Sequence, residues 1–600
     1  MRNYSTLLLL LTSLISFFSY SSNAQVKGIV TDEQNHPLAF ATIYVENSTL
    51  GTTTNSDGNY ELNLPKGKHT LIFQYIGYEK EKRSIELKSD KNYELNVQLK
   101  EQSVTLNELV IVANGEDPAY RIIRNAIKAK TANNIIYDSY SADVYTKGIQ
   151  KILDAPVKIM GIEVGDLQGN LDTTRQGIVY LSESVSKLYF KKPDIYKEVM
   201  ISSKVSGKDN GFSFNQASVL NFNFYNNHID FQRSMLSPIA DNALLYYNYR
   251  LEGSCYNENK NLIYKISVIP KLNTEPVFSG SIYIFDGSWK IHSLNLTTFA
   301  KNLQIPIIDS LNIKQVFVPH LQDDLVLFNS SISFGLNIFK FKIQGSFNAV
   351  FSNYKVDDIL ADSTAKYKKD LLTVLPNANK KDSTYWESIR PIPLTQEERI
   401  DYQRKDSIND VRTSKVYLDS TDKKANRFHF KDLVLGYQYN KTYKKEKFQI
   451  FSPLSTIGFN PIQGYYINLN SQYRKVFNEY YTRFYEVSNL LQYGFTDHKL
   501  RLSAKYAYNF NKIKYNRFEV ETGQIVQQFN EENPVSILIN PYYALFAKKN
   551  FLKLYEKSYL KSSYQQYLTD GLFAKCNVEY QTRKLLSNNT EHSFSNKDIP

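Results

Sequence analysis

Leu500-Arg501-Leu502-Ser503-Ala504-Lys505-Tyr506-Ala507-Tyr508-Asn509-Phe510 alternates from end to end. Leu500, Leu502, Ala504, Tyr506, Tyr508 and Phe510 share one face, and Arg501, Ser503, Lys505, Ala507 and Asn509 share the other, because an extended chain sends successive side chains to opposite sides. A run of about ten residues is also what a tilted strand needs to cross a bilayer. The pattern recurs in Tyr465, Ile467, Leu469 and Tyr473 against Asn468, Asn470, Gln472 and Arg474. It recurs again in Leu572, Ala574, Cys576, Val578 and Tyr580 against Lys575, Asn577, Glu579 and Gln581. Apolar outside and polar inside is what lipid and a wet lumen ask of a transmembrane barrel, with tyrosines at strand ends as an interfacial girdle. Residues 428–600 therefore read as outer-membrane β-barrel strands. The competing reading is a large soluble sandwich whose polar face meets water. Closure is obligatory in lipid, since an open edge leaves backbone groups unpaired. This stretch offers only about seven to nine strands of bilayer-crossing length, and it stops at the polar, proline-ended Ser595-Asn596-Lys597-Asp598-Ile599-Pro600, so further strands are expected to follow.

Composition agrees with strands. The 600 residues hold Tyr 46 and Phe 35 but Trp 2, and tyrosine this abundant suits strands with one wet and one apolar boundary. Lys+Arg 72 against Asp+Glu 60 leaves +12, too dilute over this length to imply nucleic acid. Length alone suggests about four domain-sized units. Only Cys255 and Cys576 are present, which excludes a disulfide-rich scaffold, a four-cysteine zinc site and an iron–sulfur cluster. They fall in separate domains and are expected to be free thiols.

The chain opens with Arg2, an uncharged apolar run from Leu7 to Phe18, then Ser22-Asn23-Ala24 before Gln25. Residues 1–24 read as a secretory signal peptide cleaved after Ala24, the apolar run being too short for a stable membrane helix. No later run is long and apolar enough to cross as a helix, so any membrane crossing after export must use strands.

From Val26 to Leu99 short alternating runs are separated by turn residues. Ser56-Asp57-Gly58-Asn59 reads as a hairpin turn, and Leu71, Phe73 and Tyr75 share a face expected to be buried, with the other face wet. The segment VKGIVTDEQNHPLAFATIYVENSTLGTTTNSDGNYELNLPKGKHTLIFQYIGYE, with its T-x-S-D-G-x-Y turn and Y-I-G-Y-E strand, resembles the carboxypeptidase-regulatory-like domain, a transthyretin-type sandwich. The resemblance implies a seven-stranded β-sandwich over residues 25–100 that folds or docks, not a peptidase. No histidine is followed three residues later by Glu, as an H-x-x-E zinc pair would require. His320 with Asp323 and His429 with Asp432 come nearest, and on strands they would point apart.

Residues 101–355 read as an α+β, strand-rich periplasmic domain. Leu106 to Val112 is an apolar strand resembling the one after this sandwich in large outer-membrane nutrient receptors. Asp117-Pro118 then starts a helix through Ile123, Ala126 and Ile127, where such receptors carry a plug. From Ser139 to Asp357 long strands alternate, including a pair meeting at Phe285-Asp286-Gly287-Ser288 with Ile282, Ile284 and Trp289 as packing residues. This meander is faintly similar to the half-open barrels of periplasmic lipid carriers, but any antiparallel meander alternates in this way, and ordinary packing is preferred here over a lipid-holding groove. Residues 356–427 read as a charged helical or extended linker, with Thr395-Gln396-Glu397-Glu398 as a capped helix start.

PAYRIIRNAIKAK, TYWESIRPIPLTQEE and NPYYALFAKKNFLKLYEKSYL resemble a Bacteroidota family of unknown function that joins the regulatory-like sandwich to an outer-membrane barrel. The resemblance implies architecture and an outer-membrane location with periplasmic N-terminal domains. No G-x-S-x-G, Walker, G-x-G-x-x-G, H-E-x-x-H or EF-hand pattern occurs, and Asp323-Asp324, Asp357-Asp358 and Glu531-Glu532 are neighbours that would point apart on strands. The chain is thus expected to be non-enzymatic, with no catalytic, metal or cofactor residues assigned. Its expected partners are outer-membrane lipid and a periplasmic protein met through residues 25–100. Transport or assembly of surface material is the leading expectation. Binding of a partner or glycan by the sandwich is second, and a secreted metallo-carboxypeptidase a distant third.

Overall fold

The computed structural model describes residues 23–88, 92–102, 116–134, 137–167, 169–192, 195–207, 215–231, 233–256, 260–321, 324–356, 372–478, 483–511, 516–530, 535–536, 539–569, 571–588 and 592–594. The expected strand at Leu106–Val112 and all but the last two residues of the expected signal peptide lie outside them. The chain divides into two compact units, residues 1–406 and 407–600.

The first unit begins with β1 (Asn23–Thr31), β2 (Thr42–Val45), β3 (Gly51–Thr53), β4 (Asn59–Pro65), β5 (Gly67–Gln74), β6 (Glu81–Leu87), β7 (Tyr93–Glu94) and β8 (Val97–Gln98). They form two facing sheets, β4-β1-β7 with β8 also on β1, and β3-β2-β5-β6. Among the described residues the sandwich has eight strands rather than seven, because the side chain of Asn96 takes the Ile29 N–H bond at 2.9 Å and splits the last strand into two short pairings. The Asp-Gly turn also differs from the expected hairpin. β3 and β4 belong to different sheets, so the turn hands the chain from one layer to the other. Asn55 Oδ1 accepts from the backbone N–H of Asp57 and Asn59 at 2.9 and 3.0 Å, and Gly58 takes φ 76°, a backbone conformation that suits glycine.

Val26, Val30, Ile43, Leu62, Leu64, Leu71, Phe73, Ile85 and Leu87 fill the sandwich, with Tyr75 packed against them. The opposite face of β2 and β5 was expected to meet water and does not. Tyr44 and Ile72 are buried against Val318, Phe328, Val350, Trp386 and Ile392. Buried Gln74 Nε2 lies 3.2 Å from His292 Nε2.

Beneath lies one large sheet. Its strands are β9 (Ser139–Asp154), β10 (Gly177–Lys191), β11 (Ile195–Val205), β12 (Tyr247–Tyr256), β13 (Leu262–Pro270), β14 (Ser279–Phe285), β15 (Ile291–Phe299), β16 (Ile308–Pro319), β17 (Leu325–Ile338), β18 (Phe341–Val356) and β19 (Leu372–Val374). The order is β12-β13-β14-β15-β16-β17-β18-β9-β10-β11-β19, antiparallel until the last pair, where β19 runs parallel to β11. The meander's neighbours pair in sequence, and β18 returns to pair with β9. Helix α1 (Pro118–Asn133) packs on it through Ile122, Ile123 and Ala126, started by Asp117, whose carboxylate accepts from Ala119 N at 2.9 Å. Ile282 and Ile284 are fully buried and Trp289 packs against the same core.

Residues 372–406 are not the linker expected across 356–427. After the undescribed 357–371, β19 joins the large sheet, and α3 (Ser383–Ile389) buries Trp386 beside Ile392 under the sandwich. Helix α4 (Gln396–Thr413) opens with a reciprocal cap: Thr395 Oγ1 accepts from Glu398 N at 3.2 Å, and Glu398 Oε2 accepts from Thr395 N at 2.8 Å. Average composition concealed this strap, because a few apolar residues among many charges suffice to seal an interface.

The second unit is a meander of β20 (Gly436–Lys441), β21 (Glu446–Phe451), β22 (Gly458–Asn460), β23 (Gly464–Val476), β24 (Phe484–Gly494), β25 (Leu500–Asn511), β26 (Asn516–Gln528), β27 (Leu554–Thr569) and β28 (Leu572–Leu585). Its order is β20-β21-β23-β24-β25-β26-β27-β28, with β22 on β23 and every pairing antiparallel. Among the described residues β20 and β28 end the sheet and it does not close.

Trp386 is 1% exposed, so Trp386→Ala should cost about 3–5 kcal/mol, read as a lower denaturant midpoint in chemical unfolding. Trp386→Phe should lose markedly less.

Candidate functional site

Register fixes which side chains of the second unit stand side by side. One row across seven strands runs Gln449, Gln472, Ser488, Lys505, Glu521, Lys561, Glu579, each the partner of the next. The neighbouring row, one residue away on every strand, runs Phe448, Tyr473, Val487, Tyr506, Val520, Ser562, Val578. The first row is wholly polar and the second almost wholly apolar. Adjacent residues on a strand face opposite ways, so the sheet has one polar and one apolar face.

Several residues of the apolar face are exposed. Leu500 is 61% and Leu502 56% exposed, and Tyr506, Leu560, Val578 and Tyr580 are exposed with them, whereas Arg501 between the two leucines is 1% exposed. Arg501 Nη2 lies 2.6 Å from Asp497 Oδ2 and 2.9 Å from Glu556 Oε2, and Gln524 Nε2 donates to Glu556 Oε1 at 2.9 Å. Lys505 and Arg517 both reach Glu519, at 3.2 and 2.6 Å, and Lys557 reaches Glu579 at 2.5 Å. Lys505 with Glu519 and Lys557 with Glu579 thus pair opposite charges across neighbouring strands on the polar face.

The first unit holds two further features. A cavity of about 650 Å³ lies along β16 and β17, walled by Phe222, Phe231, Ile332, Phe334, Leu336 and Phe347. Its rim includes the short helix α2 (Ala217–Leu220), whose first backbone N–H groups are held by fully buried Glu198 at 3.1 Å. Elsewhere, Arg390 makes a two-pronged contact with fully buried Glu183 at 2.5 and 2.8 Å, and Tyr145 donates to the same carboxylate at 2.5 Å. Burial alone would push the Glu183 carboxyl up, but the Arg390 guanidinium holds it below the usual range. Lys147 pairs with Glu398 at 2.6 Å, so both ends of the 390–398 strap are pinned to the large sheet by charge.

The sequence candidates for chemistry fall apart or come together as follows. Asp323, Asp357, Asp358, Glu531 and Glu532 lie outside the described residues. His429 and Asp432 were expected on a strand, pointing apart. A helical turn over Asp432–Leu435 instead brings His429 Nδ1 within 3.7 Å of Asp432 Oδ2, whose carboxylate also accepts from His429 N at 2.7 Å. That is a capped turn. Among the described residues no three His, Cys, Asp or Glu side chains are grouped to hold a metal ion. Cys255 and Cys576 are both free, and burial pushes the Cys255 thiol up to about 11, away from the reactive thiolate. The cavity was not legible in the sequence, since its walls come from strand positions that alternate like any other.

The chain carries a sandwich and a large antiparallel sheet in its first unit and a two-faced strand meander in its second, and it belongs to the family of unknown function DUF5686. That family matches residues 122–354, its C-terminal domain matches residues 431–599, and a CarboxypepD_reg-like domain matches residues 26–111. No curated protein matches the chain. Among solved structures it is similar to a DUF1329 family protein from Desulfovibrio piger at 10% identity, covering 41% of this chain and 97% of that one, TM-score 0.18. A LolA superfamily protein from Nitrosomonas europaea matches at 8% identity, covering 40% and 96%, TM-score 0.17. A putative outer membrane lipoprotein-sorting protein domain from Vibrio parahaemolyticus matches at 7% identity, covering 41% and 98%, TM-score 0.18. Likeness at this level carries no argument about the present chain.

Partly buried His292 sits where the sandwich meets the large sheet. Desolvation, helped by Lys80, holds its imidazole well below the ordinary 6.5. The unfolded chain therefore takes up this proton first, and stability should fall as pH drops below about 6.5. The gap in melting temperature between pH 7.5 and 5.5 should narrow in His292→Gln.

Proposed function

We propose that this chain is a non-enzymatic protein of the cell outer membrane, exported by a cleavable signal peptide. In this reading the second unit is the membrane-embedded part of a β-barrel, residues 25–406 are periplasmic, and the protein takes part in transport or assembly of surface material. The observation that carries the reading is the pair of neighbouring rows on the second unit's sheet, Gln449 to Glu579 and Phe448 to Val578. In water, the exposed face bearing Leu502, Tyr506, Leu560 and Val578 would be a contiguous apolar patch of a kind soluble monomers avoid. Against acyl chains the same face is matched to its surroundings, and the paired charges opposite suit a wet lumen. The reading also requires the outer edges of β20 and β28 to be paired, because hydrocarbon offers their backbone groups no partner.

Partner binding by residues 25–100 is the weaker reading. Tyr44, Ile72 and Gln74 already commit one outer face of the sandwich to the large sheet, leaving a partner only the other sheet and the loops.

The test pairs localisation with two substitutions. The full-length protein should fractionate with the outer membrane and show heat-modifiable gel mobility. Leu502→Arg should reduce its folded, membrane-integrated fraction, since arginine facing lipid costs up to about 2–4 kcal/mol, the more the deeper it lies. Ser503→Arg, one residue along and facing the polar side, should accumulate normally. A soluble periplasmic product, or equal tolerance of both substitutions, would contradict the proposal.

A further inference from the structure

The cavity of the first unit is long, apolar and open at an amide-rich rim, and the barrel reading does not use it. Ile332, Phe334 and Leu336 stand at alternate positions of β17 and so line one face over ~14 Å of strand. Register places Leu311 beside Phe334, Ile308 beside Leu336 and Phe347 beside Ile332, which widens that stripe across β16 and β18. Opposite Phe334 stands Gly345, where a Cβ would lie 2.2 Å from the Phe334 ring, so the ring rests on bare backbone and the floor stays flat. Phe334 and Phe347 are stacked with ring centroids 6.0 Å apart, and Phe222 and Phe231, centroids 5.4 Å apart, form a second aromatic wall.

The rim differs in kind. Gln216, Ser218, Asn221, Asn223 and Asn226 bring hydrogen-bonding groups to the lining. Among the described lining residues there is no lysine or arginine, and Asp230 is the one carboxylate. At about 650 Å³ the space falls within the ~300–1,000 Å³ of small-molecule sites, which are apolar with a few placed polar groups.

We propose that this cavity binds a single long acyl chain carrying an uncharged, hydrogen-bonding head, such as a glyceride or acyl amide. The chain lies along the β17 stripe and the head meets the amide rim. A carboxylate head would face Asp230 with no lysine or arginine among the described lining residues to offset the repulsion, His228 being the one imidazole there. The site is built wholly within the first unit and stands independently of the membrane reading of the second.

The experiment uses the full-length protein held in an amphipathic polymer free of detergent, labelled by a long-chain monoacylglycerol with a diazirine near its methyl end. After irradiation, peptide mapping by mass spectrometry should find the label in residues 215–231 and 308–336, and excess unlabelled monoacylglycerol should remove it. Leu336→Trp, which fills the cavity, and Val219→Trp, at an exposed rim position that leaves the fold unburdened, should each reduce that label several-fold. If Leu336→Trp melts early, Val219→Trp decides. The corresponding diazirine fatty acid should label these peptides several-fold less. The proposal is overturned if those peptides stay unlabelled, if Val219→Trp leaves the label unchanged, or if fatty acid labels them equally. Label confined to residues 428–600 would also overturn it, while leaving the membrane reading of that unit intact.

Discussion

Everything in the second unit depends on the period of two that an extended chain imposes on its side chains. Once Lys505 is paired with Glu521 and Glu521 with Lys561, the residues between them have no choice of face. Tyr506 and Val520 must look the other way. A register slip of one residue on any strand would put a charge into the apolar face, so the register is held by both faces at once. The ion pairs around Arg501 act in the same direction. A guanidinium 1% exposed needs Asp497 and Glu556 where they are, and their positions fix how β25 and β27 are placed.

The first unit obeys a different constraint. Its sandwich and its large sheet each have a second apolar face, and each covers the other's. Tyr44 and Ile72 seal onto Val318, Phe328 and Val350, and the strap with Trp386 and Ile392 completes the seam. Bidentate Arg390 on buried Glu183 holds that strap at a cost in desolvation that its geometry offsets. The sandwich is therefore part of a larger packed body, with one outer face committed within the chain.

What was legible in the sequence follows from these two constraints. Alternation around Leu500 to Phe510 gave both the strand and the polarity of its faces, because period two is local. The capped helix start at Thr395 and the burial of Leu71, Phe73, Ile282 and Ile284 were equally local. The strap is not legible in this way because Trp386 and Tyr402 are few among charges, and their burial is decided by surfaces far away in sequence. Asp57-Gly58 announces a turn but not its partners, since a turn's chemistry does not say which sheet receives the next strand. The eighth sandwich strand depended on one side chain, Asn96, competing with the backbone. The apolar cavity was invisible for the opposite reason, as Ile332, Phe334 and Leu336 look like any buried face until the segment above them is seen to stand off.

The central claim is that the alternating faces of the second unit meet lipid and water respectively. Spin labels at single cysteines, with Cys255 and Cys576 replaced, can be placed at consecutive positions 502 to 506 of the full-length protein in lipid vesicles. Their accessibility to oxygen and to a water-soluble nickel chelate reads the environment of each face. The account predicts that positions 502, 504 and 506 favour oxygen while 503 and 505 favour the nickel chelate. Nickel accessibility that is uniformly high along all five positions would contradict it.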